Sequence, residues 1–415
     1  MIEHTTPIPI RSQRIHGDVD GSFGHAPREN KILRYKGDLY GFATVPRRFP
    51  HPDDKEAYHT AVHTFPNGLL GFRRGTDGAW TQIVQAETPW CSAALVGPDG
   101  TFWMEGTDGW ENFVLSRTRT PEDFHSFERA YERPGSSVYG GVSISPEGNV
   151  HTLHAGSNNH HAGASTVMHS AFYEAATDTW HRQEFETPEG RNGYSRMLVT
   201  GKSVIGVCRC AMYETTPHYA MEPEGLGSGR HVRLFACEDL TTQPLRVVRW
   251  LTPPYGNSEL HDLFRAPDGH AYLAYQHVSA ETYEDSNRPM TTHLARFDTS
   301  LTPEVFDLGI PNGYRPCPHF DAQGRWFLSY LDTKENRSYL VKLDPDDGFR
   351  PTDRYPLGDG SQQSYVLFVL RPEQFGGEGR LPDEPVGFIT IAYGEKDSNL
   401  FPLVESWYGE FDLPT

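Results

Sequence analysis

Three observations predict an all-β chain folded as a single β-propeller. The first is a recurring pattern: an apolar run, a turn ending in Gly, then a second apolar run ending in Tyr, Arg, His or Trp. The second is composition. Hydrophobic residues make up 37%, aromatics 12%, and there are 40 Gly and 32 Pro, a mix that suits many short strands and tight turns. The third is the lack of long amphipathic helical patterns. The best helical stretch, Thr120-Pro-Glu-Asp-Phe-His-Ser-Phe-Glu128, supports one or two turns at most.

The copies of the pattern run along the whole chain. They are Phe65-Pro-Asn-Gly68-Leu-Leu-Gly-Phe72, Leu95-Val-Gly-Pro-Asp-Gly100-Thr-Phe-Trp103 and Ile144-Ser-Pro-Glu-Gly148-Asn-Val-His151, followed by Phe264-Arg-Ala-Pro-Asp-Gly269-His-Ala-Tyr272 and Phe320-Asp-Ala-Gln-Gly324-Arg-Trp-Phe327. Gly37-Asp38 and Gly201-Lys202 are weaker copies. Each reads as a β-hairpin whose Gly supplies the positive φ of the turn. Hairpins recurring about every 40–55 residues are the mark of propeller blades.

The hairpins divide the chain into units of about 31–88, 89–133, 134–190, 191–253, 254–309, 310–357 and 358–413. Seven blades result if 31–88 is one blade, eight if it is two. The whole of 1–415 reads as one domain, with no long Pro/Gly/Ser linker. The segment around Trp407–Leu413 and the early stretch Ile8–Arg14 are candidates for a terminal pairing that removes exposed sheet edges. Thr76-Asp-Gly-Ala-Trp80, Thr107-Asp-Gly-Trp110 and Ala176-Thr-Asp-Thr-Trp180 read as structural Asp-containing turns with a packing Trp.

The bulk numbers exclude several classes. A formal charge of −18 repels phosphate backbones, so nucleic acid is not an expected partner. No run of about 18 apolar residues exists to span a membrane as a helix. The N-terminus, Met1-Ile-Glu-His-Thr-Thr-Pro, has neither a basic start nor an apolar core. A cytoplasmic location is expected, or a secreted or periplasmic one if a leader has been removed. The five cysteines show no framework spacing, which points to reduced thiols.

Two stretches concentrate chemistry. His151-Thr-Leu-His154-Ala-Gly-Ser-Asn-Asn-His160-His161 reads as a strand running into a polar, Gly-containing loop. Its histidines serve a site or are incidental surface residues; no standard metal spacing is present. Asn192-Gly-Tyr194-Ser-Arg196 opens a hairpin that closes at Arg209-Cys210, so Tyr194 and Arg209 lie near the same end. An Arg closing the apolar run Val204-Ile-Gly-Val-Cys needs either a ligand or a structural salt bridge. Three further segments precede blade strands and read as substrate-binding: Tyr58-His59-Thr-Ala-Val-His63, Asn257-Ser-Glu259-Leu-His261-Asp262, and Asn312-Gly-Tyr314-Arg315-Pro-Cys-Pro-His319. Gln362, Gln363 and Tyr365 close the series. Aromatic faces beside hydrogen-bonding groups suit a sugar site.

The stretch from Gly140 to Arg209 resembles the ulvan-lyase-type propeller polysaccharide lyases and their relatives that act on rhamnose–glucuronate linkages. The resemblance rests on Pro146-Glu-Gly148, Gly156 with His160 and His161, His169-Ser170, Trp180, Tyr194 and Arg209. It implies that Tyr194 is the acid and perhaps the base, that Arg209 neutralises a uronate carboxylate, and that His160 or His161 is the family histidine. The family's other histidine has no counterpart: Ser137-Val-Tyr139-Gly stands there, so Tyr139, His59 or His63 would substitute.

A uronate lyase removes a proton beside a carboxylate. A guanidinium on that carboxylate spreads the developing charge, an imidazole or phenolate takes the proton, and a phenol protonates the leaving oxygen. Arg182, Arg191, Arg196, Arg209 and Arg230 would provide local positive charge in an acidic chain. The expected function is a carbohydrate-active enzyme, a lyase of an anionic oligo- or polysaccharide. The alternatives are a rhamnosidase- or sialidase-like glycoside hydrolase and a non-catalytic glycan- or protein-binding propeller. No cofactor is required, and there is room for a structural Ca²⁺ or Zn²⁺.

Overall fold

The computed structural model describes residues 1–16, 32–46, 67–88, 90–107, 112–135, 140–156, 167–187, 191–211, 230–252, 256–279, 290–298, 301–358, 374–382, 385–393 and 404–415. They form the seven sheets of a seven-bladed β-propeller. Among the described residues the one helical element is a 3-10 turn, Pro345–Asp347. The Thr120 segment is a pair of turns closed by Asp123, not a helix: Asp123 Oδ1 accepts from His125 N at 3.0 Å.

The chain divides into two compact units. One holds Met1–Pro7, Gly135–Pro356 and Phe375–Pro382; the other holds Ile8–Pro134, Leu357–Gln374 and Asp383–Thr415. The second unit contains three sheets. Blade 1 is Ile32–Tyr35, Asp38–Pro46, Asn67–Arg74 and Trp80–Thr88. Blade 2 is Trp90–Val96, Phe102–Thr107, Asn112–Thr118 and Phe127–Pro134. Blade 7 has Val386–Tyr393, Val404–Phe411 and, from the other end of the chain, Arg11–His16 paired antiparallel with Val404–Phe411. That terminal pairing is the one the sequence suggested. Trp80, from the first Asp-containing turn, packs its ring edge on Tyr408 at 5.6 Å.

The first unit contains four sheets of four antiparallel strands. Blade 3 is Gly141–Ile144, Val150–Ala155, Val167–Glu174 and Thr179–Glu186. Blade 4 is Arg191–Thr200, Ser203–Ala211, Arg230–Cys237 and Arg246–Trp250. Blade 5 is Gly256–Arg265, Ala271–Ser279, Thr291–Phe297 and Pro303–Pro311. Blade 6 is Gly313–Phe320, Trp326–Asp332, Arg337–Asp344 and Arg350–Pro356, extended by a parallel pairing of Ile2–Glu3 with the last strand.

Burial explains the strand sequences. Trp326–Asp332 is buried along its whole length, whereas the outer strand Thr179–Glu186 alternates exposed and half-buried residues. Apolar clusters fill the spaces between sheets. Trp326 packs against Phe264, Tyr272, Phe320 and Phe349, with ring centroids 4.9–5.9 Å apart. Cys208, Cys237 and Cys317 are buried and make no disulfide.

The turns fall where the hairpin pattern put them, with one exception. Gly100 and Gly269, for example, hold φ of 87° and 84°. Asn67-Gly68, by contrast, lies inside the strand Asn67–Arg74, where it pairs with Val45 and Pro46. An Asn-Gly pair flanked by apolar residues reads the same in a turn or at a strand start, so blade 1 has one hairpin fewer there than expected. Blade 1 is therefore a single sheet, which makes the count seven.

At the turn end of blades 3 and 5 the segment 375–382 crosses the first strands. Phe375 O accepts from Ile144 N at 3.1 Å, and Gly377 O accepts from Arg265 N at 2.9 Å. Gly377 has φ of 97° and sits so close to Leu263 that a Cβ would lie 2.3 Å from its carbonyl oxygen. Only glycine fits there.

Candidate functional site

The first strands of blades 3, 4, 5 and 6 lie side by side within one unit. Their Gly turns face one end. The N-terminal halves of the first strands and the C-terminal halves of the second strands face the other. In three successive blades the first strand loses register at that other end. In blade 4 the shift falls between Gly193 and Arg196, so Tyr194 and Ser195 bulge opposite Cys208. In blade 5 it falls between Leu260 and Asp262, which makes His261 the extra residue. In blade 6 it falls between Tyr314 and Cys317, releasing Arg315 and Pro316. Bulges re-aim side chains and recur beside functional sites. Arg315 also holds φ of 55°, a costly left-handed conformation for a residue with a Cβ.

The sequence had placed Glu259 and His261, and Tyr314 and Arg315, ahead of their blade strands. They lie instead within the first strands Gly256–Arg265 and Gly313–Phe320, and the bulges give them the freedom expected of a loop. Side chains from three blades meet here. Arg209 at the end of the second strand of blade 4 forms an ion pair with Glu259 of blade 5. The guanidinium expected to receive a substrate carboxylate thus already holds one. Arg196 Nη2 lies 3.5 Å from His261 O. The Arg315 guanidinium stacks 5.0 Å over the Tyr314 ring, and Tyr314 presents its ring to His261 edge-on at 6.4 Å. Behind His261, Asp262 accepts from Arg380 Nη2 at 2.8 Å, and Arg380 lies 4.1 Å over Phe264. Arg196, Arg209 and Arg315 outnumber Glu259 at this end, a local positive balance in a chain of net charge −18.

His261 is buried. Its Nε2 is 2.8 Å from Gln276 Oε1, and Gln276 Nε2 donates to Gly313 O. Burial pushes its pKa down to about 4, against the opposing pull of Glu259 and Asp262 and with the help of Arg315, so the ring is neutral at pH 7. His151 is a second buried histidine, pushed down to about 3 by burial, with Nε2 2.8 Å from Ser170 Oγ.

Not every expected residue joins the cluster. His319 is fully buried and bonded through Nε2 to Ser329 Oγ at 2.8 Å, so it belongs to the interior of blade 6. Tyr194 is described in its backbone alone, at the blade 4 bulge opposite Arg209's strand. His59, His63, Tyr139, His160 and His161 lie outside the described residues, as do Gln362, Gln363 and Tyr365. Gln276 and Arg380 were missed. A signal for Gln276 existed: it is a polar residue closing the apolar run Ala271-Tyr-Leu-Ala-Tyr275. Arg380 had none, because its segment reaches Asp262 only in the folded chain. Among the described residues no group of three or more His, Cys, Asp or Glu side chains is arranged to hold a metal ion.

No protein-family model matches the sequence. No curated protein matches it either. Solved structures do. An ulvan lyase described as a new family of polysaccharide lyase is similar with TM-score 0.55 at 11% identity, covering 95% of both chains. The same type of enzyme bound to GlcA(1-4)Rha3S gives 0.57 at 11% identity, again over 95% of both chains. A catalytically inactive virginiamycin B lyase from Staphylococcus aureus with quinupristin gives 0.52 at 12% identity, over 98% of this chain and 100% of the other. At such identities the likeness establishes a shared fold, the seven-bladed β-propeller.

Proposed function

We propose that the chain is a carbohydrate-active lyase that cleaves a uronate-containing glycan by β-elimination at the bulged end of blades 4, 5 and 6. One observation carries the reading: three successive first strands bulge at the same end, at Tyr194, His261 and Arg315. A phenol, an imidazole and a guanidinium are the groups an elimination beside a carboxylate uses. The similar folds lend support, since they are named as lyases and one holds a saccharide containing glucuronate.

Arg315 of blade 6 provides the positive charge that would receive the uronate carboxylate, with Arg209 of blade 4, paired to Glu259, adding to the field. Charge that develops on the carbon next to the carboxylate spreads into it and is stabilised there. Tyr194 protonates the leaving oxygen. Glu259, held by Arg209, orients that guanidinium and accepts hydrogen bonds from sugar hydroxyls.

The test is a panel of uronate polysaccharides and oligosaccharides, read by ultraviolet absorbance of the unsaturated product and by reducing ends. A lyase raises both. Reducing ends without absorbance would make the protein a hydrolase, and binding with neither would make it a glycan-binding propeller; either result ends the reading. Tyr194→Phe is expected to lower kcat by roughly 10²–10⁴-fold while leaving saccharide affinity nearly unchanged.

A further inference from the structure

We propose that Gln276 holds His261 as its Nε2–H tautomer and that Nδ1 of His261 is the proton acceptor of the elimination. The inference rests on the lyase reading and names the base within it.

The tautomer follows from a chain of one-way hydrogen bonds. Gly313 O can only accept, so the amide nitrogen of Gln276 must face it. With the amide so oriented, Gln276 Oε1 faces His261 Nε2 at 2.8 Å. That oxygen also can only accept, so Nε2 must carry the hydrogen. A flipped amide would set its oxygen against the Gly313 carbonyl and replace that bond by a repulsion, so the first orientation is the one that keeps both bonds. A neutral imidazole has one N–H, which leaves the lone pair on Nδ1. Nδ1 is buried and makes no hydrogen bond.

Position supports the role. His261 is the one residue of its strand with no partner opposite, because Leu260 pairs with Tyr275 and Asp262 with Ala274. The groups around it come from every neighbouring element. Glu259 and Asp262 flank it on its own strand and favour the protonated ring; Arg315 from blade 6 opposes it. Arg196 from blade 4 reaches its carbonyl, and the Tyr314 ring stands perpendicular to it with centroids 6.4 Å apart. A base must be unprotonated before the reaction and gain affinity for a proton during it. Burial meets the first need. A substrate carboxylate held by Arg315 would meet the second by offsetting that opposing charge. His151 provides the contrast: its partner Ser170 Oγ can donate or accept, so nothing there selects a tautomer.

The step balances. The bond from hydrogen to the carbon beside the carboxylate breaks, and the proton passes to Nδ1. Its electron pair forms the new carbon–carbon double bond. The bond from the adjacent carbon to the glycosidic oxygen breaks, and that oxygen takes the proton of the Tyr194 hydroxyl. After the product leaves, the proton on Nδ1 returns to the tyrosinate, which restores both groups.

Gln276 acts through His261, so it is a positioning residue. Nitrogen NMR of the full chain with labelled histidine, assigned with His261→Gln, should show His261 protonated at Nε2 and bare at Nδ1 until the pH nears about 4. Gln276→Leu should restore a mixture of tautomers and lower kcat about tenfold with KM held. Gln276→Glu, which keeps the acceptor, should retain the tautomer and most of kcat, and move the acidic limb of the pH–rate profile upward. His261→Gln should lose roughly 10²–10⁴-fold in kcat. A wild-type spectrum with hydrogen on Nδ1 overturns the proposal, and so does His261→Gln at full kcat; both results leave the lyase reading standing. If wild type eliminates no substrate, the lyase reading and the acceptor role fall together, while the tautomer is still decided by NMR. The wild-type spectrum needs no variant, so it decides even if Gln276→Leu does not fold.

Discussion

At the turn ends of blades 5 and 6, Asp268 and Asp321 fold their carboxylates back onto their own hairpins; at the opposite ends the same first strands bulge. Asp268 accepts from His270 N at 2.9 Å and from the Tyr272 hydroxyl at 2.7 Å. Asp321 accepts from Gln323 N at 3.0 Å, Arg325 N at 2.9 Å and Arg325 Nε at 2.5 Å. These two carboxylates are satisfied within four residues of sequence, while Arg265 beside them reaches out to Glu378 and Thr200. At the bulged end the polar contacts span blades: Arg209 to Glu259, Arg196 to His261, Gln276 to Gly313. The difference teaches that the turn carboxylates hold each hairpin together locally, whereas the side chains gathered around the bulges are held by contacts from one sheet to the next. Irregular backbone held in place by surrounding structure is where chemistry is usually found.

The sharpest way to break this comparison is a matched pair of arginine variants. Arg315→Ala, at the bulged end, should lower the rate of unsaturated-product formation by roughly 10²–10³-fold. Arg325→Ala, whose guanidinium serves the buried Asp321 at the turn end, should leave it within about twofold, because that pair lies at the opposite end of the strand from the bulge. Equal losses in the two variants would abolish the distinction.

Stability supplies the next test. Arg380 is buried and holds Asp262, so Arg380→Leu should cost about 3–5 kcal/mol in urea unfolding by leaving a buried carboxylate without its cation. A loss below about 1 kcal/mol would mean that Asp262 finds water or another partner.

Acid should weaken the first unit before the carboxylates titrate. Burial lowers the folded pKa values of His151 and His261 from 6.5 to about 3 and about 4. The unfolded chain therefore binds protons that the folded chain refuses. The contribution is complete above pH 6.5 and is lost as pH falls below it. Between pH 6.5 and about pH 5 each group should remove about 2 kcal/mol. Urea midpoints across that window, for wild type and for His151→Asn, measure it; an unchanged slope in the variant would refute the assignment for His151.

The smallest effect belongs to the turns. Asp268→Ala should cost about 1 kcal/mol, seen as a small drop in Tm, with kcat untouched. A change in kcat would show that the two ends are coupled.

Much of the fold was legible because hairpins are local. Pro-Asp-Gly269 and Gln-Gly324 need only their own backbone conformation to turn the chain, and the flanking runs need only bury one strand. Asn67-Gly68 was misread for the same reason, since a turn signal carries no record of whether the chain turns there. Glu259, His261, Tyr314 and Arg315 were visible as polar and aromatic residues where apolar ones were expected. His319 looked the same in sequence, yet Ser329 holds it inside blade 6.

By itself, the sequence determined an all-β chain, its repeated blades, its acidic charge and the residue types near the blade ends, because turn chemistry and alternation act over a few residues. Only the tertiary structure decided which of them meet. A bulge is a mismatch counted across two strands, and the relay from Gly313 through Gln276 to His261 joins two blades. Neither exists until the sheets have paired, so neither could be read from the spacing of residues along the chain.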